Sequence, residues 1–408
     1  MQIRFNKQRA GRIITIFLLA FPHLRPDCVV NMWPALDVLF NAGRILSLLV
    51  IIALNLYKRK TIKSIFVVIV IAQLWLTLST VINGSQNLMG NLVYMGSAIA
   101  IPLLINCYAD HMDETIDALF MNYEWLIYAS LISIMLFYPN GMYIKEGALN
   151  RKGYFLGNEN QIIFYAVPAI TLALLRMKKA KNTIRSFCLI AACVANEVLV
   201  WCATGIIGLA VMGVVFFVIG KWRFIQYYTI YFITLIGDLL VTVFRIIDKN
   251  GFIAHIITNV LGKTVTLSGR TLIWDEAYPI IGDNLLIGLG RGNHIPASNG
   301  ALHHCHNQYF ELLLEGGVPL LIIFLIMVFI VGYAVSYTKT MTYGKRVMIA
   351  ALACLFIQFI ATQRITAEIF IPFVLAYFCK GIDITIGCRP GKRPALSVDQ
   401  RQSGEEPA

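Results

Sequence analysis

The sequence predicts an all-α polytopic membrane protein with about twelve transmembrane helices and one large extracytoplasmic loop carrying short amphipathic helices. Three observations predict it. Hydrophobic residues make up 58% of the 408 residues and charged residues only 14%, where a water-soluble chain averages about 25% charged. Apolar runs of the ~20 residues that cross ~30 Å of hydrocarbon recur along the chain. Lys and Arg fall at every second junction between those runs. A soluble globular chain is excluded.

The first run, Ile13 to Phe21, follows a basic stretch and ends in Pro22-His23-Leu24-Arg25. A small-x-small cleavage site is missing there, so the run reads as a retained span rather than a secretory signal. The other spans are expected at 36–57, 62–82, 91–108, 119–138, 160–176, 186–202, 204–220, 225–244, 317–337, 347–362 and 368–387. Basic junctions include Arg9/Arg12, Lys58/Arg59/Lys60, Arg176/Lys178/Arg185, Lys339/Lys345/Arg346 and Arg389/Lys392. By the positive-inside rule both termini are cytoplasmic. The net charge of +12 then belongs almost wholly to that side, which leaves the outer face near neutral. The charge is an orientation device rather than a binding patch. Most of the nine cysteines sit in apolar runs as small hydrophobes; Cys28 and Cys305 alone read as outside, where a bridge is conceivable.

The chain divides into residues 1–244 (nine spans), 245–316 (the large outer loop), 317–387 (three spans) and a polar tail, 388–408, expected to be disordered. A loop of roughly 70 residues is usually functional. Within it, Ser268 is a plausible N-cap for a helix running to about Ile281. Leu272, Ile273, Ala277, Ile280 and Ile281 form its apolar stripe, with Trp274 and Tyr278 suited to the headgroup level, so this helix is expected on the outer leaflet. Gly288, Gly290 and Gly292 read as a flexible turn.

Four of the seven histidines fall between His294 and His306. For His303-His304-Cys305-His306, zinc binding competes with acid/base work by one histidine and with no role at all. Neighbouring residues on one backbone rarely converge on one ion, whereas an imidazole at the start of the next helix suits proton transfer. Arginines form the second group. Arg270 can contact a lipid diphosphate bidentately or serve as a headgroup anchor. Arg44 lies inside the second span with Asp37 on nearly the same face, so the two can pair in a polar cavity. Arg364 and Arg151 can reach that cavity. Glu197 and Asp238 are intramembrane carboxylates, functional or structurally partnered. Asn158-Glu159-Asn160-Gln161 can bind sugar hydroxyls or cap a helix.

Residues 268–274 read Ser-Gly-Arg-Thr-Leu-Ile-Trp, followed by Gly288-Leu-Gly290 and then by His306-Asn-Gln-Tyr-Phe-Glu311 with Gly316-Gly317 at the entrance to a span. That order resembles the large-loop signature of bacterial O-antigen ligases and of O-antigen and capsular polysaccharide polymerases, as does the topology. The resemblance implies Arg270 and His306 as functional residues, with His303 and His304 outside the motif. It implies glycosyl transfer at the outer face of the bacterial cytoplasmic membrane, joining polyprenyl-diphosphate-linked repeat units of capsule, exopolysaccharide or O-antigen. A ligase of the same family is the alternative.

In that chemistry Arg270, with Arg364, Arg291 or Arg44, stabilises the departing diphosphate. His306 is the general base on the acceptor hydroxyl, with Glu311 orienting it or sharing the proton. Arg151, Glu159 and Asn307 complete the expected substrate contacts. No metal or cofactor is needed when arginines carry the charge. Expected partners are the lipid-linked oligosaccharide, membrane lipids, a flippase and a chain-length regulator, and no nucleic acid. A secondary transporter or flippase for lipid-linked sugars remains a rival, although two similar halves are not visible.

Overall fold

The computed structural model describes residues 7–84, 88–145, 151–178, 183–221, 226–245, 255, 270–292, 295–296, 302–337, 339–364 and 366–387. Ser268, His294 and the C-terminal tail lie outside them. In chain order the helices are α1 (Lys7–Ala20), α2 (Asp27–Met32), α3 (Pro34–Tyr57), α4 (Ser64–Ile82), α5 (Leu88–Cys107), α6 (Met112–Phe137), α7 (Glu159–Lys178), α8 (Thr183–Leu199), α9 (Ala203–Val218), α10 (Tyr227–Thr242), α11 (Arg270–Asp283), α12 (Gln308–Val335), α13 (Tyr343–Ala361), α14 (Ala367–Tyr377) and α15 (Cys379–Gly387). Short 3-10 turns lie at Phe21–Leu24 and Ala109–His111, and two short antiparallel strand pairs are formed by β1 (Tyr143–Lys145) with β2 (Arg151–Gly153) and by β3 (Ile295–Pro296) with β4 (Leu302–His303). The chain is an all-α polytopic membrane protein.

Each predicted span coincides with a helix. Among the described residues, seven helices are long and apolar enough to cross a membrane. Others are shorter, at 17 residues for α8, 16 each for α9 and α10, and 14 for α1. The last predicted span is two helices of 11 and 9 residues. In α15, Asp383 accepts the Tyr337 hydroxyl at 2.8 Å and the Gly344 N–H at 2.9 Å. This ties α15 to the turn that opens α13.

One continuous apolar core runs through the bundle. Helix α13 packs most closely on α9, and α12 on α4. Small residues allow the first approach: a Cβ on Gly208 would stand 2.2 Å from Gln358 Nε2, the close contact that small residues give membrane helices. At one end of the bundle Arg9 bridges Asp113 (3.0 Å) and Asp117 (2.9 Å), and Arg12 meets Glu114 at 2.8 Å. Asp37 was expected beside Arg44, but it pairs with Arg25. Prolines at 22 and 26 turn the chain after α1 and bring Arg25 back over α3. Cys28 and Cys305 are both buried and free, so they form no bridge.

Helix α12 is broken at Gly317 (φ 66°, ψ −168°). Pro319 has no N–H to donate to the carbonyl of Glu315, four residues earlier. Other groups take up the carbonyls at the break: Gly290 N–H (3.0 Å) and Ser79 Oγ (2.8 Å) donate to Glu315 O, and Trp75 Nε1 donates to Gly316 O at 2.7 Å. The glycine segment before it is therefore an ordered clasp rather than a flexible turn. Gly288 and Gly290 have φ of 73° and 77°. A Cβ on either would come within 2.6 Å of the α12 or α4 backbone.

Candidate functional site

Helix α11 buries most of the predicted stripe: Ala277 and Ile281 are buried, and Ile273 and Ile280 pack against the same small core. Its buried residues are Thr271, Trp274, Ala277 and Ile281, while Leu272 is 62% exposed. Trp274 is fully buried, donates from Nε1 to Cys305 O at 2.8 Å and meets Phe310 edge-on. With Ala277, Ile281 and Leu314 it forms a small second core that fixes α11 against the start of α12. An amphipathic period cannot distinguish lipid from protein as the covering surface, and here the cover is protein. Trp274→Ala should cost about 3–5 kcal/mol, the range for a large buried aromatic. Thermal unfolding of purified protein measures it, and a change within error would contradict this packing.

Asn307 caps α12. Its Oδ1 accepts the N–H groups of Tyr309 (2.9 Å) and Phe310 (3.0 Å), while Nδ2 donates to buried Asp238 at 2.5 Å. Asn307 is fully buried, so its side chain is committed to the scaffold, and Asp238 has a structural partner. Glu311 reaches back from the first turn of α12. It engages His304 Nδ1 at 2.7 Å and accepts the Cys305 N–H at 2.8 Å. The histidine that Glu311 holds is therefore His304. The side chain of His303 is outside the description.

Burial alone would lower the pKa of His304, but the hydrogen bond and charge of Glu311 outweigh it and raise it above the ordinary value. The pair thus stabilises the fold fully below the unfolded histidine pKa of ~6.5 and loses that contribution as pH rises through the higher folded value. His304 keeps 41% of its side-chain surface, so solvent screens the pair and the effect is small. Thermal stability should fall slightly as pH rises above the ordinary histidine value of ~6.5, and His304→Gln should flatten that slope. An unchanged slope in the variant would exclude the pair as its cause.

His306 stands between Glu311's partners and the cap, with φ +49°. A non-glycine residue is held in this left-handed region only where its surroundings determine it, commonly at functional sites. Its Nε2 lies 3.5 Å from Arg151 Nη2, the long end of a hydrogen bond. A guanidinium only donates, so Nε2 presents its lone pair there. Arg151 comes from β2, whose hairpin docks on α2 through Tyr143 OH to Asp27 at 2.6 Å. Arg270, the first residue of α11, lies within electrostatic reach of Arg151, Cys202 and Glu159. Burial first, and then the Arg151 charge, depress its pKa. Glu159 opens α7, where Asn158 and Gln161 spend their side chains on capping: Asn158 Oδ1 accepts the Asn160 N–H and Gln161 Oε1 the Asn158 N–H.

A second cluster lies beside this one. Arg25, Arg44 and Arg364 line a cavity of about 420 Å³ with Asp27, Glu368 and Tyr94. Arg44 donates to Pro22 O at 3.1 Å, and Arg364 Nε to Thr366 Oγ1 at 3.1 Å. Burial and then Arg44 push Arg25 down to about 10. The Arg291 guanidinium lies 3.6 Å from the centre of the Tyr94 ring. Gln308, two residues past His306, accepts the Arg364 N–H at 2.8 Å and joins the two clusters. Arg270, Arg151 and His306 thus gather in one place, and Arg44 and Arg364 in the next. Sequence reasoning missed Arg25, Glu368 and Gln308. For Arg25 the available signal was a cation flanked by two prolines at the end of an apolar run.

The site is cationic and is built at one end of the apolar helical bundle of a polytopic membrane protein. Residues 188–325 match the family model described as O-Antigen ligase, consistent with the O-antigen ligase and polymerase family and with a role in polysaccharide assembly. That segment contains Arg270, Arg291, His306 and Glu311; Arg25, Arg44, Arg151 and Arg364 lie outside it. No curated protein matches the chain. Enzymes of this family act on lipid-linked glycans.

Proposed function

We propose that the protein is a polysaccharide polymerase that joins polyprenyl-diphosphate-linked repeat units at the outer face of the bacterial cytoplasmic membrane, with both termini cytoplasmic. The observation that carries this reading is the convergence of Arg270, Arg151 and His306, with His306 in a strained backbone conformation. The acceptor hydroxyl oxygen attacks the anomeric carbon of the donor and its proton passes to the His306 imidazole, whose Nε2 exchanges its long contact with Arg151 for the acceptor hydroxyl. The bond from the anomeric carbon to the diphosphate oxygen breaks, and the electron pair leaves with the diphosphate. Arg270 and Arg151, with Arg364, Arg44 and Arg291 around them, stabilise that charge. Arginine suits the task because its planar fork stays charged and binds phosphate oxygens in pairs. Guanidinium groups thereby serve in place of a metal ion. Glu311 holds the His304-Cys305 segment and so orients His306.

The description of the matching family favours a second reading, transfer of glycan to a lipid A core. Purified protein supplied with a lipid-linked repeat unit alone separates the two. A ladder of longer lipid-linked products supports the polymerase. Product that forms only when lipid A core is added would replace it with the ligase.

A further inference from the structure

Arg270 occupies the least favourable place on α11 for a cation. It is the first residue of the helix, whose first turn holds no acidic residue, and the N-terminal end of a helix dipole repels positive charge. A second guanidinium, Arg151, stands within electrostatic reach. Both forces act to peel the first turn away from its neighbours. The small core that seats α11 does not oppose them, because its members on this helix run from Ile273 to Ile281 and so grip the later turns. The hold on the first turn comes from outside that core.

Arg245 supplies it. This residue lies three positions past the end of α10, in the left-handed region at φ +51°, where a non-glycine residue stays only if its surroundings fix it. Its Nη2 donates to Thr271 O at 2.8 Å and to the Asp275 carboxylate, and the guanidinium stands 5.9 Å from the centre of the Trp274 ring. Thr271 and Asp275 are one helical turn apart, so a cation shared between them ties the first turn of α11 to the second. Farther along, Tyr278 OH donates to Thr242 O at the end of α10 at 3.3 Å. The end of α10 thus holds α11 along its length, and Arg245 is the contact at the turn that carries Arg270.

We infer that Arg245 is a positioning residue for glycosyl transfer: by clamping the first turn of α11 it holds the Arg270 guanidinium beside Arg151, where charge develops on the departing diphosphate. This rests on the glycosyl-transfer reading and specifies which residue sets the geometry of its first cation.

A double-mutant cycle on full-length purified protein in liposomes tests it, read as the rate of transfer from a radiolabelled lipid-linked repeat unit. Arg245→Ala should slow transfer about tenfold to a hundredfold, the size expected when a group at the reacting centre is misplaced by roughly 1 Å. In the Arg270→Ala background, whose residual turnover the label makes measurable, the same change should cost less than about twofold, because a clamp has no effect once the group it holds is gone. A purely structural loss lowers the folded fraction and would slow both backgrounds by the same factor. Arg245→Lys should recover part of the rate, since a compact ammonium keeps the charge without the planar fork. Where Arg245→Ala does not fold, Asp275→Ala replaces it. Asp275 is 64% exposed, and its loss removes one of the two anchors, so transfer should fall about threefold to tenfold with Arg270 present and stay unchanged without it. Equal losses in the two backgrounds, or a wild-type rate in the variant that folds, overturns the assignment. A wild-type rate in Arg270→Ala would instead overturn the role of Arg270 in the reaction itself.

Discussion

Arg270→Ala and His306→Ala should each abolish polymer formation while leaving the amount and thermal stability of the membrane protein near wild type. The expected losses follow from what each group supplies. Removing one preorganised group that stabilises developing charge costs about 10²–10³ in rate, and a positioned general base contributes about 10²–10⁴. Arg270 lies next to a second guanidinium, Arg151, so Arg270→Lys should recover only part of the loss, since an ammonium cannot grip two phosphate oxygens as a planar fork does. The double variant Arg270→Ala/His306→Ala should lose less than the product of the single losses, because the two act on one transition state. Normal polymer from either single variant would remove that residue from the mechanism.

Gly317→Ala has the second large effect and touches no group of the reaction. The conformation at Gly317, φ 66° and ψ −168°, is one that only glycine adopts readily. A Cβ there would stand 2.4 Å from the carbonyl oxygen of Leu285, and that carbonyl accepts the Val318 N–H at 2.7 Å. Backbone meets backbone, so neither side can yield by a rotamer change. The cost should be on the order of 3 kcal/mol or more, from backbone strain together with overlap. Activity should fall with it, because the break aligns α12 with the Gly288–Gly290 clasp. Gly213→Ala is the control, since a Cβ there meets nothing within 4 Å; it should be neutral or stabilise by about 0.5–1 kcal/mol. Equal melting temperatures for Gly317→Ala and wild type would contradict the role given to the break.

The helices were legible because apolar length is a local property, and all twelve predicted runs fall on helical segments, while seven of the described helices are long and apolar enough to cross a membrane. The separation of α14 from α15 was not, because it depends on Asp383 reaching back to Tyr337 and Gly344 across the fold. On α11 most of the apolar stripe was legible, but the inward turn of Trp274 was not, for a related reason. Periodicity gives an apolar stripe, but Trp274 turns inward because Cys305 O offers its indole N–H a partner. Motif order brought out Arg270 and His306, whereas the cavity of Arg25, Arg44 and Arg364 is assembled from residues more than three hundred positions apart. Asp37 illustrates the same limit. Its helical neighbour Arg44 was visible in the sequence, yet a proline-turned segment brings Arg25 to it instead.

The central claim is that this membrane protein makes a glycosidic bond rather than moving its substrate. The most direct measurement reconstitutes the purified protein in liposomes with a lipid-linked repeat unit and follows both the glycan and the carrier lipid. The prediction is a longer lipid-linked glycan together with one released polyprenyl diphosphate for each bond formed, both lost in His306→Ala. Substrate crossing the bilayer unchanged in length, with no polyprenyl diphosphate released, would contradict it.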